Sequence, residues 1–305
     1  MKNKFDIEII EKFKVYEKLS KKYNVEISEI IQIDLNRTGV YLDQKEIKEN
    51  FRVRFKGKIL DDYQTWYAIP VRNENETLFH VNNGKILFGN IEIGTADKLY
   101  LDTCENSYQR GPTLLNLNTK SRSNCGGCKA CIHSYHDIYD STIIKDDNNA
   151  FNTEEDFEKY FIEKKINVSN LDQIAIVTGL FGGEDKAIKH IKTVSKIAKK
   201  LDFSGEIMYF GCEINSESAL RELSSLGKFG LIYALDNFSK RKLLLAKIKA
   251  SKNIIDAKQV LTKAQKMGIR TTISYISGID SIEEMKMGFS YLKDSFNSFP
   301  IINIY

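Results

Sequence analysis

Residues 110–305 alternate short apolar runs with amphipathic segments, and this alternation constrains the fold more than any other feature of the chain. The apolar runs have the length of buried strands, and helical periodicity returns between them. Strands joined through helices are parallel, and such crossovers are right-handed, so the pattern predicts repeated βα units. The predicted strands are Leu114–Asn118, Ile174–Thr178, Glu206–Cys212, Gly230–Asp236, Thr271–Ser277 and Ile301–Tyr305.

The predicted helices between these strands each have one apolar face. Residues 185–201 carry Ile188 and Ile191 at helical spacing, which is typical of a helix that packs on a sheet. Shorter helices are predicted within 216–227 and 254–268, and the last of these ends on a glycine, as helices often do.

A doubly wound sheet and a barrel both fit this alternation. Polar residues, however, lie at the carboxyl ends of five predicted strands, and in a barrel these ends form one rim that carries the chemistry. We therefore expect an open six-stranded (βα)6 partial TIM barrel over 110–305, either complete in this form or a shortened piece of a longer protein. The polar clusters are Thr119 and Lys120, Thr178 and Gly179, Glu213 and Asn215, Asp236 and Asn237, and Ser277 and Asp280.

The preceding residues, 1–109, have a different pattern and predict an N-terminal α/β accessory domain. Helical spacing of apolar residues over 5–34 indicates two helices. From Phe51 to Leu101 the pattern shortens toward alternation, which is typical of strands, and Asn82-Asn83-Gly84 predicts a turn between two of them.

Composition excludes several classes of protein. With 42% hydrophobic and 28% charged residues, the chain has the composition of a soluble globular protein. The net charge of +4 comes from 45 basic and 41 acidic side chains spread along the chain, so we expect no nucleic-acid partner. No apolar run approaches the length of a membrane span, and the N-terminus lacks the apolar core of a signal peptide, so we expect a cytoplasmic protein without a membrane partner.

Three of the five cysteines lie close together, just after the first predicted barrel strand. Cys125, Cys128 and Cys131 are separated by two residues each, and Gly126 and Gly127 relieve crowding between them. Three thiolates on one short loop are suited to a soft metal centre in a reducing compartment. A four-iron cluster held in this way has one iron open to a further ligand.

Zinc is the alternative occupant of the cysteine cluster. Zinc accepts three cysteines and one histidine at short spacing, and His133 or His136 would be the fourth ligand. On this hypothesis the chain is a zinc-stabilised βα binding domain without radical chemistry. Structural zinc usually supports a module that lacks a core, whereas this loop leaves a strand of a large βα domain, which favours the cluster.

The cysteines and the strand-end motifs together resemble the radical S-adenosylmethionine superfamily, in its biotin-synthase-like form. The segment VTGLFGGED is similar to the family's glycine-glycine-glutamate motif, LIYALDNFSKR to its fourth strand end, and SYISGIDSIEE to its glycine-containing fifth strand. The resemblance implies a [4Fe-4S] cluster on Cys125, Cys128 and Cys131, together with S-adenosylmethionine.

The resemblance also implies roles for the rim residues. Gly182, Gly183 and Glu184 would receive the amino group of S-adenosylmethionine, unless Thr178 and Gly179 do so. Its ribose and carboxylate would be held by Glu213, Asp236 and Asn237, with Arg241 or Arg221 neutralising the carboxylate. The backbone of Ile276 and Gly278 would face the adenine.

The implied activity is reductive cleavage of S-adenosylmethionine to a radical that modifies a small-molecule substrate. Reduced flavodoxin or ferredoxin would supply the electron. The family spacing is three residues and then two, whereas this loop has two and two, so both a 5′-deoxyadenosyl and an aminocarboxypropyl radical stay open. Cys212, at the third strand end, is a candidate to bind substrate or donate hydrogen, although a cysteine in an apolar strand is more often a packing residue.

Overall fold

The computed structural model describes residues 4–42, 51–57, 67–101, 108–109, 113–117, 128–129 and 153–304. The chain forms two compact units. The first comprises residues 1–103 and 110–112, and the second comprises 104–109 and 113–305. No helix in the described ranges is both long enough and apolar enough to cross a membrane.

The first unit contains two helices and a small closed β-barrel. Six described strands close in the order β1-β3-β2-β6-β5-β4, and the pairs that β1 forms with β3 and β4 are parallel. The bounds in chain order are α1 (Lys4–Tyr23), α2 (Ile27–Thr38), β1 (Val40–Leu42), β2 (Phe51–Gly57), β3 (Tyr67–Arg72), β4 (Phe79–Asn82), β5 (Lys85–Phe88) and β6 (Ile91–Leu101).

Two sequence predictions for this unit are confirmed. The two helices are present, and β4 and β5 form a hairpin around Asn83 and Gly84. Both turn residues have positive φ, 49° and 72°, which is the backbone of a type I′ turn and explains the Asn-Gly sequence. The buried core joins helix residues such as Tyr16 and Leu35 to the barrel residue Ile86.

The second unit is built on a curled sheet with seven described strands in sequential order. Six of them are parallel, and the short β7 is antiparallel to β8. The arrangement is compatible with a partial TIM-like barrel, and the predicted strands are all present with small differences at their ends. The strands are β7 (Tyr108–Gln109), β8 (Leu114–Leu117), β9 (Gln173–Ile176), β10 (Glu206–Gly211), β11 (Phe229–Asp236), β12 (Arg270–Ser277) and β13 (Ile301–Ile304).

Helices lie between the strands, and the three predicted from periodicity are confirmed. Gly268 follows one of them with φ of 77°, the left-handed backbone that favours glycine at a helix end. The helices are α3 (Glu154–Glu163), α4 (Glu184–Lys200), α5 (Glu217–Ser224), α6 (Arg241–Leu244), α7 (Lys247–Ala250), α8 (Ile254–Lys266) and α9 (Ile282–Leu292).

The sheet is buried on both faces. The larger core cluster includes side chains from the strands and helices, whereas Ala175, Met208 and Ile232 form a separate cluster on the other face. Paired residues of neighbouring strands share a face. Asn116, opposite Ala175, and Thr272, opposite Ile232, therefore place polar groups on this second face.

Candidate functional site

The polar clusters predicted at the strand ends are joined to one another by hydrogen bonds. The segment after β9 is bonded to the segment after β10, and the segment after β11 is bonded to β12 and to the residues that follow it. Thr119 and Lys120, the cluster predicted after β8, lie outside the described residues. Tyr233 of β11 donates to Oδ1 of Asn215, after β10, at 2.8 Å, so in the described part the carboxyl ends of β9 to β12 form one connected rim.

Glu213 is the centre of the first connection. Its buried carboxylate accepts hydrogen bonds from the backbone amides of Phe181, Gly182 and Gly183 at 2.7, 2.9 and 2.7 Å. The two glycines have φ of 84° and 141°, backbone that L side chains rarely adopt, which explains the Gly-Gly sequence at this turn. Glu213 therefore fixes the shape of this turn, residues 181–183, which we call the glycine loop.

Glu184 makes the reciprocal connection. Its carboxylate accepts hydrogen bonds from the amides of Asn215 and Ser216 at 2.5 and 2.7 Å, in the segment after β10. Burial alone would raise the pKa of Glu184. The hydrogen bonds from the two backbone amides and the charge of Lys252 have a larger, opposite effect, so the pKa is lowered. The carboxylate of Glu184 is thus engaged by a neighbouring loop, while its backbone begins α4.

Asp236 ends β11 in the left-handed region, with φ of 66°. Its buried carboxylate pairs with the ammonium of Lys249 and lies 3.4 Å from the hydroxyl of Ser274. Burial by itself would lower the pKa of Lys249, but the adjacent charge and hydrogen bond of Asp236 raise it, so the ammonium of Lys249 stays charged. A positive φ at a non-glycine residue is a strained backbone of the kind found at functional sites.

Arg241 is buried, and the partners of its guanidinium among the described residues are backbone carbonyls. Nε donates to Lys252 O at 2.6 Å, Nη2 to Lys249 O at 2.7 Å, and Nη1 to Asn237 O at 2.9 Å and also to Leu235 O. We call residues 237–252 the collar, because this side chain binds the carbonyls of its first and last residues, Asn237 and Lys252. The sequence predicts that Arg241 neutralises a cofactor carboxylate, whereas in the structure its guanidinium binds backbone carbonyls of the protein.

Arg221, the alternative to Arg241, lies away from these contacts. It is exposed on α5 and pairs with Glu217 one turn earlier, at 2.5 Å. Such a surface pair is typical of a solvated helix face.

Cys128 is the one residue of the predicted metal-binding triad that the structure describes, since Cys125, Cys131, His133 and His136 lie outside the described residues. Its Sγ accepts a hydrogen bond from the amide of Ala246 at 3.2 Å, and the amide of Lys129 donates to Leu244 O at 2.7 Å. The cysteine segment follows β8 and the collar follows β11, with β9 and β10 between them in the sheet. Cys128 and Lys129, which follow the first parallel strand in the sequence, thus contact the segment that follows the fourth.

Cys212 follows β10 and is 1% exposed. Burial, together with the negative charges of Glu213 and Asp236, raises the pKa of its thiol to about 11, despite the opposing charges of Lys249 and Arg241. The thiol is therefore neutral at physiological pH, the form that a packing residue or a hydrogen donor has.

Three buried polar side chains have atoms without a hydrogen-bond partner within the described parts of the chain. They are the hydroxyl of Thr178, both amide atoms of Asn237, and the Oδ1 of Asn116. Asn237 is fully buried and Thr178 is 3% exposed. A buried polar atom without a partner costs about 1–3 kcal/mol, so these groups need a water molecule or a ligand.

The remaining predicted residues lie at the same rim. Gly179 follows β9 with φ of 76°, and Gly278 follows β12 with φ of 96°. Ile276 is a half-buried residue of β12. The described residues show no contact that assigns a ligand to these three positions.

Sequence reasoning missed two features of the site, Lys249 and the amide of Ala246. The lysine-rich run 239–252 has the composition of a solvated helix face, whereas Arg241, Leu245 and Ala246 in it are buried. The apolar Leu243-Leu244-Leu245-Ala246 run inside this basic segment was the available signal that part of it is buried.

The described residues include one of the three predicted metal ligands, Cys128. The described residues contain no group of three or more His, Cys, Asp and Glu side chains that would hold a metal ion. Two of the three predicted ligands are outside these residues, so the triad stays a prediction. The surroundings of Cys128 fit a thiolate ligand. The hydrogen bond from the Ala246 amide to the sulfur and the nearby ammonium of Lys249 both favour the thiolate over the thiol.

The comparisons with known proteins give no family for the chain. No family model matches the sequence, and no curated protein matches it. Among solved structures, the crystal structure of SuiB from Streptococcus suis aligns with a TM-score of 0.42 and 13% identity. The alignment covers 63% of this chain and 39% of the SuiB chain, and a similarity of this size assigns neither family nor activity.

Proposed function

We propose that this protein is a radical S-adenosylmethionine enzyme that acts on a small molecule, with a [4Fe-4S] cluster on Cys125, Cys128 and Cys131. The observation that carries the proposal is the contact between Cys128 and the collar, 3.2 Å from sulfur to the Ala246 amide. A cysteine segment that begins after β8 thereby meets the segment after β11, at the rim where chemistry is found in βα barrels.

The unpartnered polar atoms of the rim support a polar ligand there. The hydroxyl of Thr178 and the amide of Asn237 are buried without partners among the described residues. The amino, carboxylate and hydroxyl groups of S-adenosylmethionine are of the type that would satisfy them. When bound, the cluster and S-adenosylmethionine would supply a carbon radical, and the protein would supply binding, orientation and exclusion of water.

The glycine loop has a backbone suited to an ammonium group. Glu213 binds the amides of Phe181, Gly182 and Gly183. In a trans peptide the carbonyl points opposite to the amide of the same unit, so the carbonyls of Leu180, Phe181 and Gly182 are turned away from Glu213. These oxygens are acceptors for the amino group of the ligand, so the role proposed for Glu213 is to orient the loop.

Anaerobic reconstitution tests the proposal directly. We expect a brown protein that holds iron and sulfide, bleaches on reduction and cleaves S-adenosylmethionine with dithionite. The Cys125→Ala, Cys128→Ala and Cys131→Ala variants should each lose iron, whereas Cys104→Ala is the matched control and should retain it. Mass spectrometry of the products distinguishes 5′-deoxyadenosine from an aminocarboxypropyl product.

Two outcomes would contradict the proposal. A colourless wild-type protein with zinc and no sulfide would replace the enzyme by the zinc-stabilised binding domain. Full iron loading in any of the three cysteine variants would remove that residue from the ligand set.

A further inference from the structure

The collar holds the Cys128 segment at two adjacent points. The carbonyl of Leu244 accepts the amide of Lys129 at 2.7 Å, and the amide of Ala246 donates to the sulfur of Cys128 at 3.2 Å. The hydrogen bond to the backbone of Lys129 and the hydrogen bond to the sulfur of Cys128 together fix the position of the sulfur relative to the collar.

Arg241 determines the shape of the collar. The guanidinium is buried and binds the carbonyl of Asn237 at one end of the collar and those of Lys249 and Lys252 at the other, and it also binds the carbonyl of Leu235 in β11. A planar guanidinium with fixed donor directions can hold these carbonyls together, which a lysine with a single ammonium cannot do. The place of the Ala246 amide therefore depends on Arg241.

An amide that donates to a thiolate ligand alters the electron affinity of the metal centre. The N–H dipole places partial positive charge at the sulfur, and this stabilises the more electron-rich, reduced form. Lys249 also interacts electrostatically with Cys128, but its ammonium is paired with the carboxylate of Asp236. The amide of Ala246 is therefore the collar group that acts on the sulfur directly and favours uptake of an electron.

We infer that the Ala246 amide raises the reduction potential of the metal centre on Cys128, and that Arg241 is the positioning residue that holds this amide in place. The inference rests on the proposed function, since it requires a redox-active cluster on the cysteine. The step concerned is the uptake of one electron by the oxidised cluster from an external reductant such as dithionite.

Ala246→Pro removes the donor with little change in the backbone. Ala246 has φ of −52° and ψ of 145°, and the fixed φ of proline lies near that value. Leu245, the residue before it, has φ of −103° and ψ of 150°, the extended backbone that a following proline requires. The matched control is Lys247→Pro, which adds the same ring at the first position of α7 but leaves the amide on the sulfur intact.

Redox titration of the reconstituted cluster, followed by electron paramagnetic resonance, measures the effect. We expect a midpoint more negative than wild type in Ala246→Pro, an unshifted midpoint in Lys247→Pro, and similar iron content in both. Arg241→Lys is a second variant that does not depend on tolerance of proline, and it should shift the midpoint in the same direction by a smaller amount.

The outcomes separate the two proposals. A wild-type protein without iron and sulfide overturns the proposed function and this inference together. A wild-type cluster whose midpoint is unchanged in both Ala246→Pro and Arg241→Lys overturns the inference alone. If Ala246→Pro fails to fold, an unchanged midpoint in Arg241→Lys is sufficient to reject the role of the collar.

Discussion

Glu184 and Glu213 each bind backbone amides of the loop that carries the other. Glu213 accepts hydrogen bonds from three backbone amides of the loop after β9, and Glu184 accepts two from the loop after β10. Charge-assisted bonds to backbone amides are stronger than neutral ones and have a fixed direction. The two loops are therefore held in register by paired carboxylates.

The lowered pKa of Glu184 makes its contribution to stability dependent on pH. Because the folded-state pKa lies below the ordinary value of 4.5, the stabilisation is fully present above that pH and is lost as pH falls through the folded-state pKa. We expect Glu184→Gln to lower the free energy of unfolding by about 1–2 kcal/mol at neutral pH, as for a lost charge-assisted bond. The difference from wild type should shrink when the pH is lowered from neutral to a value below 4.5.

Urea unfolding at the two pH values measures this difference. Glu155→Gln, an exposed carboxylate in the first turn of α3, is the control and should change stability little at either pH. A Glu184→Gln penalty that is equal at both pH values would show that the ionised carboxylate is not responsible.

Sequence reasoning found the positions of the rim residues but not their partners. Thr178, Glu213 and Asp236 were predicted at the rim because each lies at or just beyond the end of an apolar run, and that depends only on local pattern. The partner of Glu213 lies 30 to 32 residues away, and no local pattern indicates which loop it will meet. The contacts of Arg241 were missed for the same reason, because they depend on the path of the collar.

At the scale of elements, prediction succeeded where periodicity is long. The helix α4 has buried residues at regular spacing over 17 residues, and its pattern is clear in the sequence. By contrast, α6 and α7 have four residues each, which is too short for periodicity to appear. These two helices belong to the collar, so the least predictable elements are the ones that contact Cys128.

The helix α9 packs against the rim through its only glycine. A Cβ at Gly288 would lie 2.3 Å from the ring of Phe238, which stacks on Tyr275 with centroids 4.8 Å apart and meets Phe289 edge-on. Close approach of the helix backbone to an aromatic ring that is itself packed on two sides leaves no room for a methyl group. The absence of a side chain is thus a requirement of this contact.

This contact predicts a result opposite to helix propensity. Alanine is more favourable than glycine inside a helix by about 1 kcal/mol, yet we expect Gly288→Ala to destabilise the protein by about 1–3 kcal/mol through overpacking. In a Phe238→Ala background the ring is absent, and the same substitution should be neutral or stabilising. Urea unfolding of the four proteins gives the coupling, and additive effects would contradict the predicted clash.

At the scale of the whole molecule, each of the two units has a main hydrophobic core of its own within the described residues. One includes Ile86 of β5 and belongs to the first unit, and the other includes Leu261 of α8 and belongs to the second. The sequence indicated the change from a strand-rich segment to alternating strands and helices, because that change is visible in the spacing of the apolar residues. It did not indicate that the strands of the first unit close into a barrel, because the parallel pairs of β1 join residues 31 and 39 positions apart.

Because each core lies within its own unit, a substitution that creates a cavity in one core should destabilise that unit. Ile86 and Leu261 are both fully buried, and replacing either by alanine removes comparable volume at an expected cost of about 2–5 kcal/mol. Hydrogen exchange followed by mass spectrometry reports the loss element by element. We expect Ile86→Ala to accelerate exchange in β4 to β6 and leave β9 to β12 at wild-type rates, and Leu261→Ala to have the reverse effect. Each variant is the control for the other, and faster exchange throughout the chain in either one would mean that the two cores unfold as a single cooperative unit.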